Sequence, residues 1–187
     1  MTDTIGAQEF GTFLDKHTLQ FVRILPGPIE KVWAYLWDSE KRGQWFASGS
    51  MPAKVGEDFE MQFKHSNLSP HTAPPPERMK EMDATGHTSK NRLLKYEPPH
   101  LLAFTFGGEK NPDTMSEVEF RLEPQGDMVR FTLTHTKIPD RSVALGVSGG
   151  WHSHLAVLQY RAEGKVPPAF WDIWRQYDGA YADRIPD

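Results

Sequence analysis

Residues Leu133–Gly164 read LTHTKIPDRSVALGVSGGWHSHLAVLQYRAEG, and the change of period inside this stretch decides the fold. A β-type alternation ends at His135 and is broken by Pro139 and Asp140. Beyond the break Trp151, Leu155, Leu158 and Ala162 recur at i, i+4, i+7 and i+11, which makes one apolar stripe of a long helix. Gly164, Lys165 and the pair Pro167-Pro168 stop that helix. The stripe has to be buried against something. A single late helix after a run of strands predicts an α+β arrangement, an antiparallel sheet that the helix covers, either closed on itself or with a cavity left beneath.

Working outward, Ser116 to Leu122 sets Val118, Phe120 and Leu122 against Glu117, Glu119 and Arg121. Pro124-Gln125-Gly126-Asp127 turns this strand into Val129, Phe131, Leu133 and His135 as a hairpin. Leu101 to Phe106 is a further strand with Leu102, Phe104 and Phe106 on one face, followed by turn signals at Gly107-Gly108 and Asn111-Pro112. Phe59, Met61 and Phe63 alternate with polar neighbours between Asp58 and Lys64, and a weaker pattern runs from Gly86 to Tyr96. Nearer the start, Thr18 to Leu25 reads as a strand. Pro26-Gly27-Pro28 breaks it, and Ile29, Val32, Trp33, Leu36 and Trp37 define an amphipathic helix opening at Pro28. Asp38 and Ser39 cap a second, short helix to about Gly43.

Three segments stand outside this pattern. Residues 1–17 are expected to be a loosely attached lead-in in which Phe10, Phe13 and Leu14 pack as a short helical turn. Asn67 to Arg78, with Pro70 and Pro74-Pro75-Pro76, is a long loop, of the kind that is functional or mobile. Residues 165–187 form a tail whose Phe170, Ile173, Trp174, Tyr177 and Tyr181 keep a helical period. The tail either packs on the outside of the domain, taken as 18–164, or offers a contact to a second copy of the chain or another protein.

Composition narrows the function. A chain of 187 residues, 38% hydrophobic and 12% aromatic, is long enough to bury about 70% of its unfolded surface without staples. The absence of cysteine excludes a disulfide framework and a thiol nucleophile. A net charge of -4 without a dense basic cluster argues against nucleic acid or an anionic membrane as partner. MTDTIGAQEF has no signal-like core, and no run approaches about 18 apolar residues, so a soluble, cytoplasmic protein without membrane insertion is expected. No phosphate loop, dinucleotide fingerprint or Gly-x-Ser-x-Gly elbow occurs, and no cofactor is expected. His65, His71 and His87 carry no metal-ligand spacing, so no metal is expected either.

The order of elements, with RILPGPIEKVWAYLWDSEKRGQWF (Arg23 to Phe46), YEPPHLLAFTF (Tyr96 to Phe106), SEVEFRLEPQGDMVRFTLTH (Ser116 to His135) and GGWHSHLAVL (Gly149 to Leu158), resembles the SRPBCC or START-like superfamily. Within it, the chain resembles the branch named after the activator of the heat-shock protein 90 ATPase. The resemblance covers about Leu19 to Gly164. It implies a helix-grip fold of the START and Bet v 1 kind: an antiparallel sheet wrapped around the long C-terminal helix, with two short helices after the first strand. It also implies a cavity between helix and sheet where relatives hold apolar ligands. Fold does not fix function, because the same frame hosts carriers, cyclases, receptors and co-chaperone domains.

With that frame, Phe63, Phe104, Phe106, Phe120 and Phe131 on the sheet, Trp45 after the second helix and Trp151 on the long helix become candidate pocket walls. Each alone reads sooner as ordinary core; as a set they suit a small apolar or aromatic ligand. His135, His154, His152 and Tyr96 are the available polar anchors. His152 and His154 lie about 200° apart around the helix and so cannot share a ligand. His135 is in phase with Phe131 and Leu133, as an inward-facing base or as a satisfied core histidine. A cofactor-independent cyclase or hydrolase using His135 with Glu117 is weakened by strand parity, which turns Glu117 to the other face. Ligand binding is the first reading, with a chaperone-like interaction surface and the enzyme as rivals.

Overall fold

The computed structural model describes residues 9–107 and 114–187, so the turn expected at Gly108 and Asn111-Pro112 lies outside the described residues. Seven strands form one antiparallel sheet in the order β1-β2-β7-β6-β5-β4-β3. They are β1 Thr12–Asp15, β2 Thr18–Pro26, β3 Asp58–Phe63, β4 His87–Glu97, β5 Leu101–Phe106, β6 Ser116–Gln125 and β7 Met128–Thr136. The helices are α1 Ile29–Trp37, α2 Ser39–Arg42, α3 Lys80–Thr85, α4 Arg141–Ala162 and α5 Phe170–Tyr177. This is the helix-grip arrangement, with α4 held across the sheet. Among the described residues, no helix is long and apolar enough to cross a membrane.

Strand register explains which side chains meet α4. Phe21, Leu133, Phe120 and Leu102 pair across four strands, and Leu19, His135, Val118 and Phe104 form the next inward row. All eight are at most 1% exposed, a continuous inner surface. Glu117, one position off this parity, pairs instead with Lys137 on the outer face.

Two expectations change. Thr12–Asp15 is not a helical turn but an edge strand, paired with β2 through Thr12 and Gln20, and Phe13 and Leu19. The free backbone groups of the β2 edge favour a strand there over an isolated turn. Phe10 then packs against His152 and Tyr181, ring centroids 5.2 and 5.1 Å apart. The long helix is also enclosed on more than its stripe, since every residue from Trp151 to Leu158 is buried. The tail is the reason: α5 packs along α4. Tyr177 stacks on His152 at 3.6 Å, and the Tyr181 hydroxyl meets Nδ1 of the same imidazole at 2.7 Å.

The segment between β3 and β4 is strapped down. A 3-10 turn at His65–Leu68, a second at Glu77–Met79 and α3 flank the proline-rich stretch. Arg161 donates to the Leu68 carbonyl at 2.9 Å, Ser69 Oγ donates to the Pro167 carbonyl at 2.7 Å, and Arg78 pairs with Asp178 at 2.9 Å while lying over the Trp174 ring.

Candidate ligand cavity

A cavity of about 400 Å³ opens where β3 and β5 end and β4 begins, under the first half of α4. Phe63, His87, Ser89, Phe106 and Gly107 form its sheet side, and Val143, Gly146, Val147, Gly150, Trp151 and His154 its α4 side. Phe46 and His65 fill the corners, Phe170, Trp171 and Trp174 of α5 form the back, and Met79 and Met82 close it from the strapped segment. Of the side chains expected at a site, Phe63, Phe106, Trp151 and His154 come together on this wall. Trp45, Phe104, Phe120, Phe131 and His135 lie behind it in the core, each fully buried. Tyr96 stands apart, packed on Trp37 with ring centroids 4.3 Å apart.

Phe46 reaches the wall because a buried arginine sets the loop that carries it. Arg42 donates to the carbonyls of Trp37 at 2.9 Å and Ala47 at 3.0 Å, and also to that of Gly49. Burial lowers the Arg42 pKa to about 10, which leaves it charged at neutral pH. The same loop turns Trp45 inward, where its indole N–H donates to the Tyr35 carbonyl at 2.7 Å. Phe46 stacks beside it, ring centroids 5.4 Å apart, and reaches on toward the cavity, 4.9 Å from Trp151 and 5.0 Å from Phe63.

The histidines have different fates. Trp151 donates its indole N–H to His135 Nδ1 at 3.0 Å, so Nε2 carries the proton and donates to Ser116 Oγ at 2.8 Å. Ser116 in turn donates to the Phe106 carbonyl at 2.6 Å. Both nitrogens of His135 are engaged, and burial pushes its pKa down to about 3. His154 is open by comparison. Its Nδ1 lies 2.7 Å from the Trp45 carbonyl, an acceptor only, so Nδ1 holds the proton and Nε2 keeps a lone pair. Burial first, and the neighbouring His65 second, lower the His154 pKa to about 3. His65 stacks on Phe170 and Trp171, and burial brings its pKa to about 4 against the opposing pull of Asp83. The cavity therefore presents two neutral imidazoles, His65 and His154, in a mainly apolar wall that also carries His87 and Ser89.

Phe46, His65, Met79, Met82 and Trp171 were not among the expected wall residues. Phe46 and Trp171 show in the sequence only as large side chains beside other rings, and His65 only as a histidine without metal-ligand spacing. Met79 and Met82 sit in a segment without a readable period.

An antiparallel sheet gripping a long helix over an aromatic cavity defines a protein of the SRPBCC, START-like class. The model of the Activator of Hsp90 ATPase homolog 1-like protein family matches residues 26–163, and the chain belongs to that family. It is similar to a Bordetella parapertussis protein solved by NMR, with 43% identity over 95% of this chain and 91% of that one, at a TM-score of 0.79. CalU16 from Micromonospora echinospora shares the fold at 21% identity, covering 91% of this chain and 89% of its own, with a TM-score of 0.66. DynU16, a protein in the dynemicin biosynthetic locus, does so at 17% identity over 80% of this chain and 49% of its own, with a TM-score of 0.58. No curated protein matches the chain.

Proposed function

We propose that this protein binds a small aromatic or apolar molecule in the cavity between α4 and the sheet. The observation that carries this reading is the open space of about 400 Å³ walled by rings and methionines beside a fully packed core. That volume lies within the range of small-molecule pockets, which join apolar walls to a few polar anchors. The rival readings have less to stand on. A cyclase built on His135 lacks a free ring nitrogen there. An interaction surface on the tail would use Phe170 and Trp174, but Phe170 is 3% exposed and Trp174 lies under Arg78. Native mass spectrometry of protein purified from its own host tests the proposal: a stoichiometric small molecule released on denaturation is the expected result. An empty protein that also fails to bind any aromatic probe would overturn it.

A further inference from the structure

We infer that the ligand of this cavity is an uncharged aromatic molecule bearing a hydroxyl, whose O–H donates to Nε2 of His154. The inference rests on the cavity reading above and adds the chemistry of what fits. The Trp45 carbonyl fixes the proton of His154 on Nδ1. Nε2 is then an acceptor, on a side chain only 6% exposed that lines the cavity. No partner meets that nitrogen among the described residues. An acceptor facing the cavity is costly to dry out unpaired, so a hydrocarbon filling the space would impose that cost, whereas a donor on the ligand avoids it.

Two other polar groups share the wall: Trp171 Nε1 is a buried donor without a partner among the described residues, which suits an oxygen acceptor such as that of a hydroxyl, and His65 is a second neutral imidazole. Ser89 Oγ donates at 2.7 Å to Asn91 Oδ1 within the sheet. His87 stands exposed at the mouth. Arg78, next to Met79 of the wall, lies over the outer Trp174 ring and pairs with Asp178. Among the described residues, no Lys, Arg, Asp or Glu lines the cavity. A carboxylate or ammonium ligand would therefore lose its hydration with no opposite charge to meet it. An aromatic ligand suits the tilted and edge-on rings of Phe46, Trp151 and Phe170 around the imidazole.

Isothermal titration calorimetry of the whole protein with four probes of one shape tests this: naphthalene, 2-naphthol, 2-methoxynaphthalene and 2-naphthoate. The expected order has 2-naphthol binding roughly tenfold more tightly than naphthalene or the methyl ether, the size of one hydrogen bond. The carboxylate should bind weakest. The His154→Asn variant keeps a side-chain N–H for the Trp45 carbonyl and lacks the Nε2 acceptor, so it should lose the preference for 2-naphthol and keep its naphthalene affinity. Equal affinity of the wild-type protein for naphthalene and 2-naphthol overturns the inference and leaves the cavity reading standing, as does a preference for the carboxylate. Binding of none of the four overturns both. The wild-type series decides the matter even if the variant fails to fold.

Discussion

Phe120 and Phe106 lie on neighbouring inward strands and have different surroundings. Phe120 is fully buried among Phe104, Phe131, Trp45 and Trp151. Phe120→Ala should cost about 3–5 kcal/mol in urea unfolding. Phe106 lines the cavity, so part of its ring has no packed neighbour to lose. Phe106→Ala should cost well under the Phe120 value, and equal losses would mean that no cavity persists in solution. The contrast marks a limit of sequence reading. Alternation tells which face of a sheet a ring takes, but not how far along the strand it lies. Phe104 and Phe106 share a face, yet one sits in the core and the other on the wall. Trp45 and Phe46 lie in an irregular loop with no period, held by the buried Arg42, and both rings turn inward though only Phe46 reaches the wall.

At the scale of elements, α4 carries glycines whose surroundings differ. Gly146 and Gly150 line the cavity, and a Cβ at either would meet nothing within 4 Å. Glycine inside a helix is about 1 kcal/mol less favourable than alanine. The double variant Gly146→Ala/Gly150→Ala should therefore raise the melting temperature while weakening 2-naphthol binding, because two methyl groups enter the void. Gly149 faces α5, where a Cβ would stand 3.0 Å from the Tyr177 carbonyl oxygen. Gly149→Ala should lower the melting temperature, and a rise would show that α5 does not sit against α4 in solution. The sequence suggested that the Gly149-Gly150 pair served close packing or cavity access; the two residues divide those roles, with α5 rather than a strand as the packing partner. The long strands and α1 were legible because their periods run for many residues. The six residues of α3 are too few to show one, and the pairing of β1 depends on the β2 edge rather than on anything within Thr12–Asp15.

Across the whole molecule, buried neutral histidines set the acid limit. His135, His152 and His154 have pKa values lowered to about 3, burial being the largest cause in each. In the unfolded chain an imidazole titrates near 6.5. Between these values the unfolded state binds more protons than the folded one, so the stability held above about pH 6.5 is lost as pH falls toward 3. Urea midpoints should drop between pH 7 and pH 5, before most carboxylates protonate; a flat profile over that interval would count against the buried histidines. The family and the sheet-and-helix frame could be read from the chain. The three-layer enclosure of α4 could not, since a stripe of apolar residues reports one buried face and His152 looks polar until Tyr177 and Tyr181 are seen to cover it.

That enclosure bears on synthesis. The inner sheet surface of Phe21, Leu102, Phe104, Phe120 and Leu133 is complete once β7 has formed, but its cover, α4 and α5, lies in residues 141–187. A chain leaving the ribosome exposes that apolar surface until residues 141–187 emerge, an interval in which aggregation competes with folding. A ligand cannot shield it then, because the back wall of Phe170, Trp171 and Trp174 does not yet exist. Loading must follow emergence of α4 and α5.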